Sequence, residues 1–158
     1  NVMALRGDAM SHQKYFEASK GGHQYAAGLV SQIKNLNSGK YLHDVVEGNN
    51  CADFCIGVAG YPEKHLEAPS LQTDLKRLKE KVDAGADYVV TQMFFDNQKY
   101  FEFVDAAKKA GINVPIIPGI KPIAVKRHLQ LLPQVFRIDI PENLIAEVVA
   151  LLKKLKTL

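Results

Sequence analysis

Cysteine is nearly absent. The 158 residues carry only Cys51 and Cys55, which excludes a multi-disulfide scaffold, and no further thiols or imidazoles stand at metal-ligand spacing. Two free thiols, buried or half-buried in a reducing compartment, are expected, with no metal site. No apolar run approaches the roughly 20 residues that cross a bilayer, and no basic-then-apolar leader opens the sequence. A cytoplasmic protein without membrane attachment is the expectation. No GxGxxG follows a strand-like run and no GxxxxGK[ST] occurs, so those two phosphate loops are absent. Excess charge is scarce too: 20 Lys and Arg against 17 Asp and Glu leave a net +3. The basic residues gather at Lys76, Arg77, Lys79 and Lys81 and at Lys153, Lys154 and Lys156. Without interleaved aromatics they do not make nucleic acid an expected partner.

What is present is an ordinary globular mixture, 47% hydrophobic and 23% charged, long enough for one domain with a core. Residues 2–5 read as a buried strand. Ala26, Leu29, Val30, Ile33 and Leu36 recur at helical spacing over about Gln24 to Leu36, and a short helix is expected from Leu42 to Val46. Residues 54–60 read as a second strand. Ser70 stands as N-cap before a stripe of Leu71, Leu75, Leu78 and Val82, with Gly85 at the helix end. Tyr88 to Phe95 reads as a third strand. Asp96 or Asn97 caps a helix carrying Tyr100, Phe101, Phe103, Val104 and Ala107, closed by Gly111. Val114 to Ile120 reads as a fourth strand, followed by a helix of roughly Ile123 to Leu132. A last helix starts at Pro141 and carries Leu144, Ile145, Val148, Val149, Leu152 and Leu155.

Alternating strands and helices imply parallel strands. The strands lack polar alternation, as strands covered on both faces do. Doubly wound sheets and (β/α)₈ barrels share this pattern. In both, ligands bind at the carboxyl ends of strands, where helix N-termini also suit phosphate. The residues there are Arg6, Gly7 and Asp8; Tyr61, Glu63 and His65; Gln92, Phe94 and Asp96; and Pro118 and Gly119. Asp8 directly follows a buried run, either to stabilise a developing cation or to bind turn amides. Gln92 sits inside an apolar run, where an unpaired amide costs roughly 1–3 kcal/mol. A ligand with a donor–acceptor edge would satisfy it, and so would neighbouring core side chains. His65 suits a hydroxyl or phosphate oxygen, acid–base work, or a plain surface loop. Lys121, at a strand end, fits either a Schiff-base lysine or a solvated one. The Lys76–Lys81 group is the wet face of a helix unless its cations reach a diphosphate.

Five motifs then form a set: ALRGD at 4–8, AGYPEKHLEA at 59–68, DLKRLKEKVDAGAD at 74–87, TQMFFDN at 91–97 and PIIPGIKPI at 115–123. In order and spacing they resemble the methylenetetrahydrofolate reductase family, in its bacterial form a catalytic barrel without a regulatory domain. The similarity runs from residue 2 to about Pro141. The resemblance implies a TIM-type parallel (β/α) barrel with FAD at the strand carboxyl ends. It implies NADH or NADPH as hydride source and reduction of 5,10-methylenetetrahydrofolate to 5-methyltetrahydrofolate. Asp8 matches the aspartate near the flavin that stabilises the folate cation, and Gln92 the glutamine that pairs with the pterin edge. FAD contacts are implied at Arg6, Gly7, Tyr25, Ala26, Tyr61, His65, Asp74 and Lys81, the last toward the diphosphate.

The sequence departs from the family at several places. Arg77 and Glu80 stand where bacterial relatives carry asparagine and arginine; Arg77 is assigned to the cofactor, Glu80 is not. His128 stands at a glutamine that contacts folate in some relatives. Leu132 replaces a phenylalanine that stacks on nicotinamide in some, and can pack but not stack. A full barrel needs about 200 residues or more. The four strands match the family's fourth to seventh, so residues 1–158 are expected to form a single partial barrel domain. The first three strands, with the general-acid glutamate, and the eighth lie outside the match, and Glu63 is not assigned that glutamate's role; the chain alone is therefore expected to have little activity. Open sheet edges imply either self-association into a homo-oligomer or instability of the chain alone. Two other readings stay open: a non-catalytic half barrel that binds flavin weakly or only itself, and a lyase or aldolase barrel using Lys121.

Overall fold

A computed structural model describes residues 1–10, 13, 15–42 and 50–155. Four strands, β1 (Val2–Ala4), β2 (Ile56–Gly60), β3 (Tyr88–Thr91) and β4 (Ile116–Ile117), form one sheet in the order β1-β2-β3-β4. All pairings are parallel, with Val2 opposite Ile56, Gly57 opposite Tyr88 and Val89 opposite Ile116. Helices α1 (Ala26–Asn37), α2 (Leu71–Asp83), α3 (Asn97–Lys109) and α4 (His128–Phe136) each follow a strand, and α5 (Glu142–Leu155) follows α4. Spatial order equals chain order, without the reversal that creates the switch point of a doubly wound sheet. Of the two architectures the pattern allows, this is the barrel type, here as a partial (β/α) barrel.

The core lies between the sheet and its helices. Ile56, Val58 and Val89 of the sheet meet Val30 of α1, Leu78 of α2 and Phe103 and Ala107 of α3. Burying each large side chain of this kind contributes about 1.5–3 kcal/mol. Leu75 and Val82 pack against this cluster as the α2 stripe requires, but Leu71, in the first turn, is exposed. The expected caps form: Ser70 Oγ accepts from Thr73 N–H, and Asp96 Oδ1 from Gln98 N–H. Cys51 and Cys55 are free, and both are exposed rather than buried. Among the described residues no helix is long and apolar enough to cross a membrane.

All four strands are shorter than their apolar runs, β1 by the single residue Leu5. The backbone of Phe54 is taken up by the Asn37 side chain, its N–H by Oδ1 at 2.9 Å and its carbonyl by Nδ2 at 2.8 Å, so β2 begins only at Ile56. Pro115 and Pro118 flank β4; neither has an N–H for the ladder, and two residues remain between them. β3 stops at Thr91 because the chain after β4 crosses its end, with Gly119 N–H donating to Thr91 Oγ1 at 2.9 Å. The fourth helix starts later than expected and runs through Pro133. Before it, His128 Nδ1 accepts from Ala124 N–H, and His128 N–H donates to the Val125 carbonyl, a turn that delays the helix. The short helix expected over Leu42 to Val46 falls, beyond Leu42, outside the described residues, as does Lys156.

Gly119 is required at its position: a Cβ there would stand 2.0 Å from the Thr91 carbonyl oxygen. That oxygen is backbone and cannot swing aside. Gly119→Ala should destabilise the fold by about 3 kcal/mol, the upper end of ordinary overpacking, measured as a lowered midpoint in urea unfolding.

Candidate active site

Because the strands are parallel and in register, the residues following Ala4, Gly60 and Thr91 emerge on one rim. Gln92 N–H donates to the Gly60 carbonyl at 2.8 Å, which ties the exit of β3 to that of β2. At the end of β1, Gly7 adopts φ +81°, in the left-handed region that glycine enters without strain. This turn carries the chain out of β1 into Arg6, Gly7 and Asp8. The run before it is not the buried strand its residues suggest: only Ala4 is buried, while Met3 and Leu5, which alternate with it, are exposed on the opposite face of the sheet.

A cavity of about 350 Å³ opens beside this rim. Its walls are the exit of β1 (Arg6), the start of α1 (Tyr25, Ala26), the loop after β2 (Tyr61, His65, Glu67) and one face of α2 (Asp74, Arg77, Lys81). The α2 set follows helix geometry, since positions i, i+3 and i+7 stack on one side. Every residue that the sequence assigns to the cofactor lines this cavity except Gly7 and Asp8, which are exposed at its margin. The Arg6 pKa is raised chiefly by its bond to Glu67 and that of Tyr61 chiefly by burial, and the Asp8 charge adds a lesser push in the same direction to both.

The polar groups of the cavity are set by specific bonds. Asp74 Oδ2 accepts from His65 N–H at 2.8 Å, which anchors the loop to α2. His65 Nδ1 accepts from Glu67 N–H at 3.1 Å; the neutral ring therefore carries its proton on Nε2, a donor for a ligand. Burial lowers the His65 pKa against the opposing pull of Asp74 and Glu67. The Tyr61 ring packs edge-on against it, centroids 4.6 Å apart, and burial raises the Tyr61 pKa. Lys81 Nζ donates to the Ala59 carbonyl at 2.5 Å, and burial brings its pKa down to about 8. The Arg77 guanidinium lies over the Tyr25 ring at 4.3 Å, a cation–π contact that fixes both.

Arg6 is held most firmly. It forms a bidentate pair with Glu67, at 2.6 and 2.8 Å, and lies 4.7 Å from the Phe16 ring centroid. The bond to Glu67 raises the Arg6 pKa, and Arg6 lowers that of Glu67. Glu67, Phe16, Tyr15 and Gln24 line the cavity without having been assigned from the sequence. Glu67 stands inside the AGYPEKHLEA motif, so a signal existed for it. Nothing in the sequence marks Phe16, whose role depends on where Arg6 lands.

Gln92 lies in a separate, narrow crevice next to this cavity. Tyr61 lines both; Glu63, Met93, Phe136, Arg137 and Ile138 are among the other residues of the second. Gln92 Oε1 accepts from Met93 N–H at 3.1 Å. Lys64 (φ 82°) and Arg137 (φ 54°) border this crevice in left-handed conformations that cost a non-glycine residue of order 1–3 kcal/mol. His128 lines neither space, being the first residue of α4 and bonded to Ala124. Lys121 is exposed and also lines neither. Leu132 is buried.

The residues around the larger cavity suit an extended ligand with an anionic part and hydroxyls. Lys81 and Arg77 offer positive charge, His65 a donor, and the tyrosine rings apolar walls. A flavin dinucleotide meets that description. The smaller crevice, about 10 Å³, is no larger than a water site, and the Glu63 carboxyl in it is taken up by the Asp139 N–H.

The family model described as methylenetetrahydrofolate reductase matches residues 1–156. The chain is 40% identical over 145 residues to methylenetetrahydrofolate reductase 2 of Saccharomyces cerevisiae, covering 90% of this chain and 22% of that protein. It is 40% identical over 155 residues to methylenetetrahydrofolate reductase (NADH) 1 of Arabidopsis thaliana, covering 92% and 24%. With 5,10-methylenetetrahydrofolate reductase of Escherichia coli it shares 39% identity over 141 residues, 89% of this chain and 40% of the relative. The chain thus spans well under half the length of these relatives.

The lowered His65 pKa makes stability depend on pH. The unfolded chain takes up this proton near pH 6.5, whereas the folded chain resists until lower pH. Stability is therefore lost as pH falls through 6.5 toward the folded value. His65→Asn should flatten that part of the curve, seen as a smaller fall in melting temperature between pH 7 and 5.5 than in the unsubstituted protein.

Proposed function

The chain belongs to the methylenetetrahydrofolate reductase family, and from that premise we propose that it forms the cofactor and folate side of a flavin-dependent reductase. The reaction is reduction of 5,10-methylenetetrahydrofolate to 5-methyltetrahydrofolate, with FAD in the larger cavity and NADH or NADPH as hydride source. The observation that carries this reading is the convergence of Arg6, Tyr25, Tyr61, His65, Asp74, Arg77 and Lys81 on one cavity at the strand carboxyl ends.

When bound, FAD supplies the capacity to accept hydride from a nicotinamide and return it to the folate. The protein's own residues bind and orient. Lys81 and Arg77 hold the diphosphate, and His65 Nε2–H donates to a phosphate or sugar-alcohol oxygen. Tyr61 separates the cofactor cavity from the Gln92 crevice. Gln92 pairs its amide with the donor–acceptor edge of the pterin; His128, which lines neither space, has no role in this reading. Asp8, exposed at the margin, keeps a carboxylate where positive charge develops on the folate. The protein acts in the cytoplasm as a homo-oligomer. Among the described residues β1 pairs only with β2 and β4 only with β3, and these outer edges are where further strands or a second copy would add.

FAD affinity should decline as pH rises past about 8, the pKa of Lys81. Above that value the free protein loses the ammonium that the diphosphate binds. Lys81→Met should weaken FAD by roughly tenfold, about one charge-assisted bond, and remove this pH dependence. Visible absorbance retained after ultrafiltration with FAD measures both; no retained flavin at pH 7 would reject the proposal.

For the folate side, Gln92→Glu should weaken folate binding about tenfold by reversing one donor, while FAD retention stays within twofold. Asp8→Asn should slow the folate-dependent half of the reaction more than the dinucleotide-dependent half in stopped-flow measurements. Equal slowing of both would remove Asp8 from the folate step.

A further inference from the structure

Glu63 stands in the loop after β2, on the Gln92 side of the rim and outside the cofactor cavity. Its Oε2 accepts from the N–H of Asp139, across 76 positions of sequence, at 2.8 Å. Its Oε1 is buried with no hydrogen-bond partner, and no other described side chain has such an atom. No cation pairs with Glu63 among the described residues; burial raises its pKa, opposed by the bond from Asp139 N–H and by Lys99, while the charges of Asp139 and Asp96 add to the rise. Burying a carboxyl group with one oxygen unpaired is unfavourable. Its retention here is understandable if the bond from the other oxygen serves a geometric purpose.

That purpose is visible in what the bond joins. Asp139 ends a strap that leaves α4 through Phe136, Arg137 and Ile138. Those three residues form one wall of the crevice, and Gln92 and Met93 form another. The strap departs through the left-handed Arg137, and the loop carrying Glu63 turns through the left-handed Lys64. Two strained turns thus meet at one hydrogen bond, the sole side-chain bond between the loop and the strap among the described residues. Loss of that bond would let the strap relax away from Gln92.

We propose that Glu63 is a positioning residue: by holding the Asp139 amide it fixes the post-α4 strap as the wall against which Gln92 presents its amide to the pterin edge. The inference rests on the folate reading above. It assigns Glu63 no proton transfer and no cofactor contact.

The test compares Glu63→Ala with Glu63→Gln in the purified protein. Hydrogen exchange at the Asp139 amide should accelerate at least tenfold in the alanine variant and stay within threefold in the glutamine variant, whose carbonyl can still accept. The folate KM should rise about tenfold for Glu63→Ala, with kcat changed less than threefold and FAD retention unchanged; Glu63→Gln should restore most of the KM. Unchanged Asp139 exchange in Glu63→Ala would overturn the proposal. So would accelerated exchange with unaltered folate KM, or a parallel loss of FAD and folate binding. Should Glu63→Ala fail to fold, Glu63→Gln with a tenfold rise in KM would overturn it equally. Failure of the folate reading itself would show separately, as absence of flavin retention and folate turnover in the unsubstituted protein, whatever the exchange rates.

Discussion

The site depends on parallel pairing in chain order. Because β1, β2 and β3 lie side by side with matched registers, three loops distant in sequence leave the sheet at one level. The bond from Gln92 N–H to the Gly60 carbonyl extends that pairing past the last ladder residue. A slip of one residue would exchange the faces of Val58 and Val89 and withdraw the rim residues from one another. The fully buried Ile56, Val58 and Val89 resist such a slip, because exposing any one forfeits its burial energy. The hydrophobic core and the placement of Arg6, His65 and Gln92 are thus consequences of one packing solution.

Within the rim, charge is distributed by local bonding more than by composition. Arg6 and Glu67 neutralise each other, Asp74 spends one oxygen on the backbone of His65, and Lys81 leans on a carbonyl. The cavity therefore contains several ions while offering a ligand a small number of unsatisfied donors. Selectivity follows from that scarcity, since a ligand must match the donors that remain.

Much of this was legible in the sequence, for identifiable reasons. The four strands and their order of helices follow from apolar runs alternating with 3.6-residue stripes, and Ser70 and Asp96 cap as their types suggest. The α2 face was legible because i, i+3, i+7 spacing is geometric. Strand ends were not, since they depend on distant partners: Asn37 stops β2 from starting at Phe54, and Gly119 stops β3 at Thr91. The exposure of Cys51, Cys55 and Leu71 likewise reflects which neighbours arrive, a tertiary fact. Of the site, strand-end motifs marked Arg6, Tyr61, His65 and Gln92. The pairing of Arg6 with Glu67, the Phe16 contact and the strap over Gln92 required three-dimensional juxtaposition that no local pattern encodes.

The bidentate grip of Glu67 on Arg6 carries one more implication. It bridges the tip of the first strand and the loop that also bears Tyr61 and His65. An incoming oxyanion that claimed this guanidinium would set the glutamate free, and with it the loop's tether to the neighbouring strand. The loop would then be held to the other walls of the cavity by the bond from His65 N–H to Asp74 alone among the described residues, so the same guanidinium cannot both grip the loop and bind an anion with its full set of donors.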